Sequence, residues 1–435
     1  MLTKIEDMYT YLAEREQQHG MNFGLERMDD LLDGLQVDHQ SLRFVHLAGT
    51  NGKGSTLHEL KKILVHAGYQ VGTFTSPHIE SIQERIMINE RYIEEADFLR
   101  LFNKVVSYVE GMEQHNIFPT QFEILTVIAL MYFVEQKPDI VLMETGLGGR
   151  LDSTNVISPL MSIITNVSYD HMNILGDTIE KIAFEKAGII KADRYVITGA
   201  KHPDALGVIR EKARQQNSRL FVLGEDFKVE SSEPVKDGEL FSYKWDSILY
   251  EDLKVSMLGK HQTENASLAI TAALLLKKKF NFVLQEQDIR EGLAHANWKG
   301  RLEVLSTDPY VIVDGSHNED GMRTLVNTLY SRFAGKRLII VTAALKDKDV
   351  RMMTSMLKQV ADFIIFTEFD MDRALDAKSM AEYSTGTDHA TIEQWEKALD
   401  RGLEMADGNS VLLITGSLYF LYYARPYLAK RLDNE

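Results

Sequence analysis

The chain has 435 residues, enough for two or three domains. Its 48 Lys+Arg against 64 Asp+Glu give a formal net charge of −16, and 44% hydrophobic with 26% charged residues is the balance of a globular protein with a large core. With no cysteine, disulfides, thiolate metal sites, iron–sulfur clusters and cysteine nucleophiles are excluded, and the acidic balance speaks against nucleic acid or an anionic membrane as a partner.

The N-terminal segment MLTKIEDMYTYLAEREQQHG is charged throughout and has no signal-peptide core, and no stretch is long and apolar enough to span a bilayer. A cytoplasmic location is expected. Leu42–Ala48 reads as a buried strand, followed by a Gly-rich turn and a helix on which Leu57, Leu60, Ile63, Leu64 and Ala67 recur at helical spacing. Gln121–Gln136 reads as a buried helix, and Asp139–Met143, Met161–Ile164 and Tyr195–Thr198 as core strands. Residues 220–258 alternate short strands with polar turns, which predicts an antiparallel appendage. Helices are predicted over Thr263–Lys278 and from about Gln285 to His295. Four apolar runs then follow, Tyr310–Asp314, Arg337–Thr342, Phe363–Thr367 and Ser410–Thr415, with room for helices between them. The pattern predicts an α/β protein with two domains, 1–296 and 297–435. The first is of P-loop ATPase type, with a mostly parallel sheet and the small appendage. The second is a smaller, Rossmann-like α/β domain.

The segment Gly49-Thr50-Asn51-Gly52-Lys53-Gly54-Ser55-Thr56 joins a predicted strand to a predicted helix. Glycines there let backbone N–H groups converge on phosphate oxygens, Lys53 adds a point charge, and the helix N-terminus adds its partial positive charge. The spacing departs from GxxxxGK[ST], because Gly54 separates Lys53 from Ser55.

Other candidates carry a bland reading beside the sharp one. Glu144 ends a strand, a place suited to a Mg²⁺ ligand or to a merely solvated carboxylate. Ser76 follows a short strand, and His171 sits at a strand-to-loop junction; either could be structural. Lys186 shares a helix face with Ile179, Ile182, Ala183 and Ile190. It either snorkels to the surface or stays partly desolvated and neutral, and then it can take up CO₂ as a carbamate. Asn265, near a helix start, is a cap or an adenine contact. Arg301 is a phosphate clamp or a solvated loop residue. Asp314 binds a ribose hydroxyl or caps the next helix, and His317 and Asn318 follow in the same turn. Phe122 is core, or a platform for a flat ring.

These residues sit within longer motifs: GTNGKGST, FTSPHIESIQERIMIN (74–89), TQFE (120–123), ETGLGGRLDSTN (144–155), DHMNILGDTIEKIAFEKAGIIK (170–191), GKHQTENASLAI (259–270), WKGRLE (298–303), DGSHNEDG (314–321), LKDKD (345–349) and TGSLYF (415–420). In this order and over nearly the whole chain, the set resembles the ATP-dependent Mur-type ligases, in their folylpolyglutamate synthase/dihydrofolate synthase branch.

The resemblance implies ATP-dependent addition of L-glutamate to a reduced folate, or also to dihydropteroate, through an acyl phosphate. It implies ATP bound by Gly49–Thr56 with Asn265, Arg301 and Asp314. It implies two Mg²⁺, with Ser76, Glu144, His171 and a carbamate on Lys186 as ligands. The folate site would comprise Thr120, Gln121, Phe122, Glu123, Leu151, Asp152 and Ser153, with Phe23–Arg27 reaching it. His317 and Asn318 would serve the glutamate and phosphate region. Lys53, Lys186 and His171 would be the catalytic residues. The family motif reads Asp-Gly-Ala-His-Asn-Pro; here Ser316 and Glu319 replace two members. Two alternatives stand beside this. One is a cell-wall precursor ligase acting on a UDP-sugar, whose relatives carry a further domain ahead of the loop where only 48 residues precede Gly49 here. The other is a non-catalytic nucleotide-binding module. No nucleic-acid or membrane partner is expected, and a monomer is.

Overall fold

Residues 2–20 and 22–433 are described in the computed structural model. The first sheet comprises β1 (Phe44–Ala48), β2 (Val71–Phe74), β3 (Ile86–Ile88), β4 (Arg91–Tyr92), β5 (Ile140–Glu144), β6 (Met161–Ile164), β7 (Tyr195–Thr198) and β8 (Arg219–Val222), in the order β4-β3-β2-β5-β1-β6-β7-β8. β1, β5 and β6 are buried at every residue, as central strands covered on both faces must be. The pairs from β2 through β8 are parallel, and β3 and β4 add an antiparallel edge.

Side-chain alternation decides which helices cover each face. Phe44, Phe74, Val141 and Met143 join a core with the helices Glu95–Glu113 and Gln121–Gln136. Ala48, Ile164 and Val196 join another with Ile179–Ala187 and Pro203–Gln215. The helix Lys53–His66 packs on β1, β2 and β5.

A three-stranded antiparallel sheet follows, β9 (Phe227–Val235), β10 (Gly238–Trp245) and β11 (Ile248–Val255), in the order β11-β10-β9. The last sheet holds β12 (Glu303–Thr307), β13 (Tyr310–Val313), β14 (Arg337–Thr342), β15 (Phe363–Glu368), β16 (His389–Gln394) and β17 (Ser410–Thr415), in the order β12-β13-β17-β14-β15-β16. It is parallel except for β12. The chain packs as two compact units. One is Met1–Lys228, Lys244–Leu249 and Asn265–Leu293; the other is Val229–Tyr243, Tyr250–Glu264 and Ala294–Glu435. Among the described residues no helix is long and apolar enough to cross a membrane.

Two expectations are corrected. The appendage does not begin near residue 220, because β8 pairs in parallel with β7 and belongs to the first sheet. The turn at Gly224 made its sequence look like half of a hairpin. The helix expected from Thr263 begins at Lys260 and runs to Phe280. Gly259, at φ +102°, donates its N–H to the buried Glu239 carboxylate (2.9 Å), so a partner twenty positions upstream fixes the chain at that start. Asn265 therefore lies in the second turn and is no cap.

Candidate active site

The phosphate loop is held from the segment after β6. Asn166 Oδ1 accepts from Thr50 N (3.1 Å) and Asn51 N (2.8 Å), Thr165 Oγ1 donates to Asn51 O (2.6 Å), and Thr50 Oγ1 donates to Ser168 O (3.0 Å). Gly52 stands at φ +83°, a conformation L side chains resist, and a Cβ there would lie 2.5 Å from Asn265 Oδ1. Asn265 is thus seated directly on the loop. Lys53 opens the helix, and its ammonium donates to Gly49 O (2.9 Å). Ser55 and Thr56 are buried beneath, and Thr56 Oγ1 has no hydrogen-bond partner among the described residues. A Gly-rich turn, a helix start and an ammonium together suit an anion.

Ser76 and Glu144 meet because β2 and β5 are parallel neighbours, with Phe74 beside Met143. Ser76 N donates to Glu144 Oε2 (3.2 Å), and Glu144 is buried, which removes the reading of a solvated strand end.

Lys186 is 3% exposed, so it does not snorkel. Burial, and after it the Lys53 charge, lowers its ammonium to about 7, with Asp170 and Asp152 opposing. The geometry under it is tight. A Cβ on Gly149 would lie 2.9 Å from Glu185 O and 3.0 Å from Lys186 O, and Arg150 N donates to Glu185 O (2.7 Å). His171 adopts φ +49° and sits 3.7 Å from Asp170 Oδ1 through Nε2.

On the acceptor side, Thr120 and Glu123 form a capping box for the helix Gln121–Gln136. The Glu123 carboxylate accepts from Thr120 N (2.6 Å) and from Arg27 Nε (2.9 Å), which ties the N-terminal motif to TQFE. Gln121 and Phe122 remain half-buried at the helix start. The Phe122 ring lies 5.6 Å from that of Phe74, and Gly146 leaves room for it, since a Cβ there would sit 2.8 Å away. Asp152 is buried; its Oδ2 accepts from Leu147 N (2.9 Å) and its Oδ1 from Thr154 N (3.0 Å). Leu151 and Ser153 flank it, half-buried. Arg85 is buried and donates from Nε to His78 Nδ1 (3.0 Å).

In the second unit, Asp314 is buried at the end of β13 and accepts from Leu302 N and Ser316 N, each at 2.9 Å. It is not the helix cap; Asn318 is, with Oδ1 accepting from Gly321 N (2.9 Å). Asp314 holds Leu302 at φ +44°, next to Arg301, whose guanidinium stands near Gly315. His317 Nδ1 bonds Gly315 O (2.8 Å).

The first unit thus gathers Lys53, Lys186, Asp152 and Asp170 into one electrostatic neighbourhood, Ser76 with Glu144, and Asn265 with the loop. Among the described residues no three His, Asp or Glu form a metal cage. Ser76 and Glu144 bring together oxygen donors, a hydroxyl and a carboxylate. These suit a hard cation, and a carbamate on Lys186 would add anionic oxygens. The sequence reading gave no role to Asn166 and Asp170. Asn166 lies two residues after the β6 core strand and Asp170 directly precedes His171, which was the available signal.

A family model described as the Mur ligase middle domain matches residues 47–273, and one described as the Mur ligase, glutamate ligase domain matches 300–418. The chain belongs to the Mur ligase family. This ligase is 41% identical to the dihydrofolate synthase/folylpolyglutamate synthase of Bacillus subtilis (strain 168), over 97% of this chain and 98% of the relative. The Mycobacterium tuberculosis folylpolyglutamate synthase complexed with ADP superposes with a TM-score of 0.90 at 28% identity, covering 97% of this chain and 98% of that one. An FPGS–AMPPCP–folate complex superposes with a TM-score of 0.85 at 31% identity, covering 98% and 100%.

Proposed function

We propose that this Mur ligase adds L-glutamate to a reduced folate, with dihydropteroate as a second acceptor, at the expense of ATP. The observation that carries the reading is the neighbourhood of Lys53 and the buried Lys186 beside the phosphate loop. Relatives solved with ADP, and with AMPPCP and folate, support the choice of ligands.

The loop's N–H groups and Lys53 hold the β- and γ-phosphates. An oxygen of the acceptor's terminal carboxylate bonds to the γ-phosphorus as the bond to ADP breaks, giving an acyl phosphate. The glutamate amine attacks the acyl carbon and loses a proton, and phosphate leaves from the tetrahedral intermediate. Carboxylates are poor electrophiles, so phosphorylation is the enabling step. Two Mg²⁺ would supply charge neutralisation at the phosphates, held by Ser76, Glu144, His171 and Lys186. The neutral Lys186 amine bonds to CO₂ and releases one proton, and the resulting carbamate presents two oxygens. Asn265 serves the adenine, Arg301 and Asp314 the nucleotide, and His317 and Asn318 the glutamate and phosphate end. Gln121, Phe122, Leu151, Asp152 and Ser153 line the acceptor site, with Thr120 and Glu123 shaping its helix. The enzyme acts as a monomer in the cytoplasm.

The test is ADP release from MgATP with glutamate and either tetrahydrofolate or dihydropteroate, with product mass as the second readout. ADP release that requires both folate and glutamate, with a product heavier by one glutamyl residue, is expected. Turnover only with a UDP-sugar acceptor, or none with any acceptor, overturns the reading.

A further inference from the structure

Beneath the acceptor loop, two buried polar side chains that the mechanism does not use lead to Asp152. His46, in the middle of β1, is fully buried, and its Nε2 lies 2.8 Å from Thr154 Oγ1. Thr154 is also fully buried, and its Oγ1 lies 2.5 Å from Asp152 Oδ1. A hydroxyl has one proton. Both Asp152 oxygens already accept backbone N–H groups, so the carboxylate acts as acceptor and the Thr154 hydroxyl donates to it. The Thr154 oxygen must then accept from His46 Nε2–H. The imidazole is fixed as the neutral Nε2–H tautomer, and its Nδ1 has no partner among the described residues. Such a ring in a strand core is costly unless its one hydrogen bond matters.

We propose that His46 and Thr154 are positioning residues for the acceptor site: acting in series, they set the place and orientation of the Asp152 carboxylate, and through it the Gly146–Gly149 turn. The three residues come from a strand and from a loop more than a hundred positions later, so only the fold brings them together. Asp152 joins Leu147 N to Thr154 N, and the same turn passes under the Lys186 backbone at Gly149. A displaced carboxylate therefore disturbs the surface that meets the acceptor before it disturbs the phosphate loop, which is held separately by Asn166 and Thr165. The inference rests on the proposed assignment of Asp152 to the acceptor site.

The test separates acceptor KM from ATP KM. His46→Leu and Thr154→Val, each folded by near-UV circular dichroism, are expected to raise the acceptor KM about tenfold, as loss of a hydrogen bond to a charged group does, with ATP KM within about twofold. His46→Gln, whose amide nitrogen can reach the place of Nε2, and Thr154→Ser should stay within about threefold of the unsubstituted enzyme. Should His46→Leu not fold, the Thr154 pair decides alone. An unchanged acceptor KM in Thr154→Val, or parallel rises in both KM values, overturns the positioning role. Asp152→Asn distinguishes the layers. If it raises acceptor KM while Thr154→Val does not, only the relay fails. If it leaves acceptor KM unchanged, the acceptor assignment fails, and the inference with it.

Discussion

In the second unit, buried and half-buried charge is matched. Arg332 pairs with Glu239 at 2.8 Å, Arg425 with Glu303 at 2.6 Å, and Asp314 has both oxygens filled by backbone N–H groups. The first unit follows the same rule away from its phosphate loop, where Arg27 pairs with Glu123 at 2.9 Å. It breaks the rule on two helices. Lys186 is buried without a direct ion pair among the described residues, and Glu59, on the helix that leaves the phosphate loop, is fully buried with neither carboxylate oxygen hydrogen-bonded. An unmatched buried charge destabilises, so it persists either because chemistry uses it or because the rest of the fold tolerates it. Lys186 and Glu59 are candidates for these two fates.

The largest effect is expected at the loop both share. Lys53→Ala should lower ligation at least about a hundredfold, as loss of a transition-state donor does, while leaving the melting temperature near that of the parent. Near-normal turnover in the folded variant would remove the phosphate assignment. Lys186→Met should lose most activity, and the parent enzyme should gain activity as pH rises through about 7 at fixed bicarbonate, because only the neutral amine takes up CO₂. Its stability carries a separate sign. Between about 7 and the ordinary 10.5 the unfolded chain holds a proton that the folded chain lacks. In CO₂-free buffer the parent should therefore gain on Lys186→Met by about 1.4 kcal/mol per pH unit across that window. Urea titrations read this, and a flat difference would mean that Lys186 titrates as an exposed lysine.

How much of this was legible in the sequence depended on distance along the chain. β1, the phosphate loop and its helix form one local unit, and Lys186 announced itself through its neighbours Ile179, Ile182 and Ala183. The edge strands β12 and β16 did not, since their residues are mostly exposed or half-exposed and make no apolar run. Asn265 looked like a cap because the true helix start depends on Glu239. Asn166 on the loop and Thr154 on His46 are contacts across more than a hundred residues, which no periodicity encodes. Thr120 and Glu123 show the reverse: they fit a ligand motif and also a capping box, and the structure commits their side chains to the box.

The matched unit offers a smaller effect. Asp314→Asn keeps one acceptor oxygen but turns an NH₂ toward either Leu302 N or Ser316 N. One buried N–H loses its partner, at a cost of about 1–3 kcal/mol. Leu302 then has less to hold it at positive φ, and the neighbouring Arg301 loses its fixed place. A lower melting temperature together with a raised ATP KM is expected. A drop in stability with ATP KM unchanged would confine Asp314 to a structural role.

The smallest effect tests tolerance. Burial raises the Glu59 carboxyl well above 4.5, so the folded protein keeps that proton where the unfolded chain has lost it. The group's contribution to stability is fully present below 4.5 and is lost as pH rises toward the folded value. Glu59→Gln carries no such dependence and has nearly the same shape. It should match the parent near pH 4.5 and become more stable above it, with the gap growing by about 1.4 kcal/mol per pH unit until the folded group ionises. Ligation should stay within about twofold, because the Glu59 carboxyl makes no hydrogen bond to any group assigned to the reaction among the described residues. Paired urea melts at several pH values decide the matter. A pH-independent gap would show that Glu59 ionises normally and has found a partner. A gap that grows as expected alongside a collapse in turnover would move Glu59 from tolerated to used, and the contrast with Lys186 would vanish.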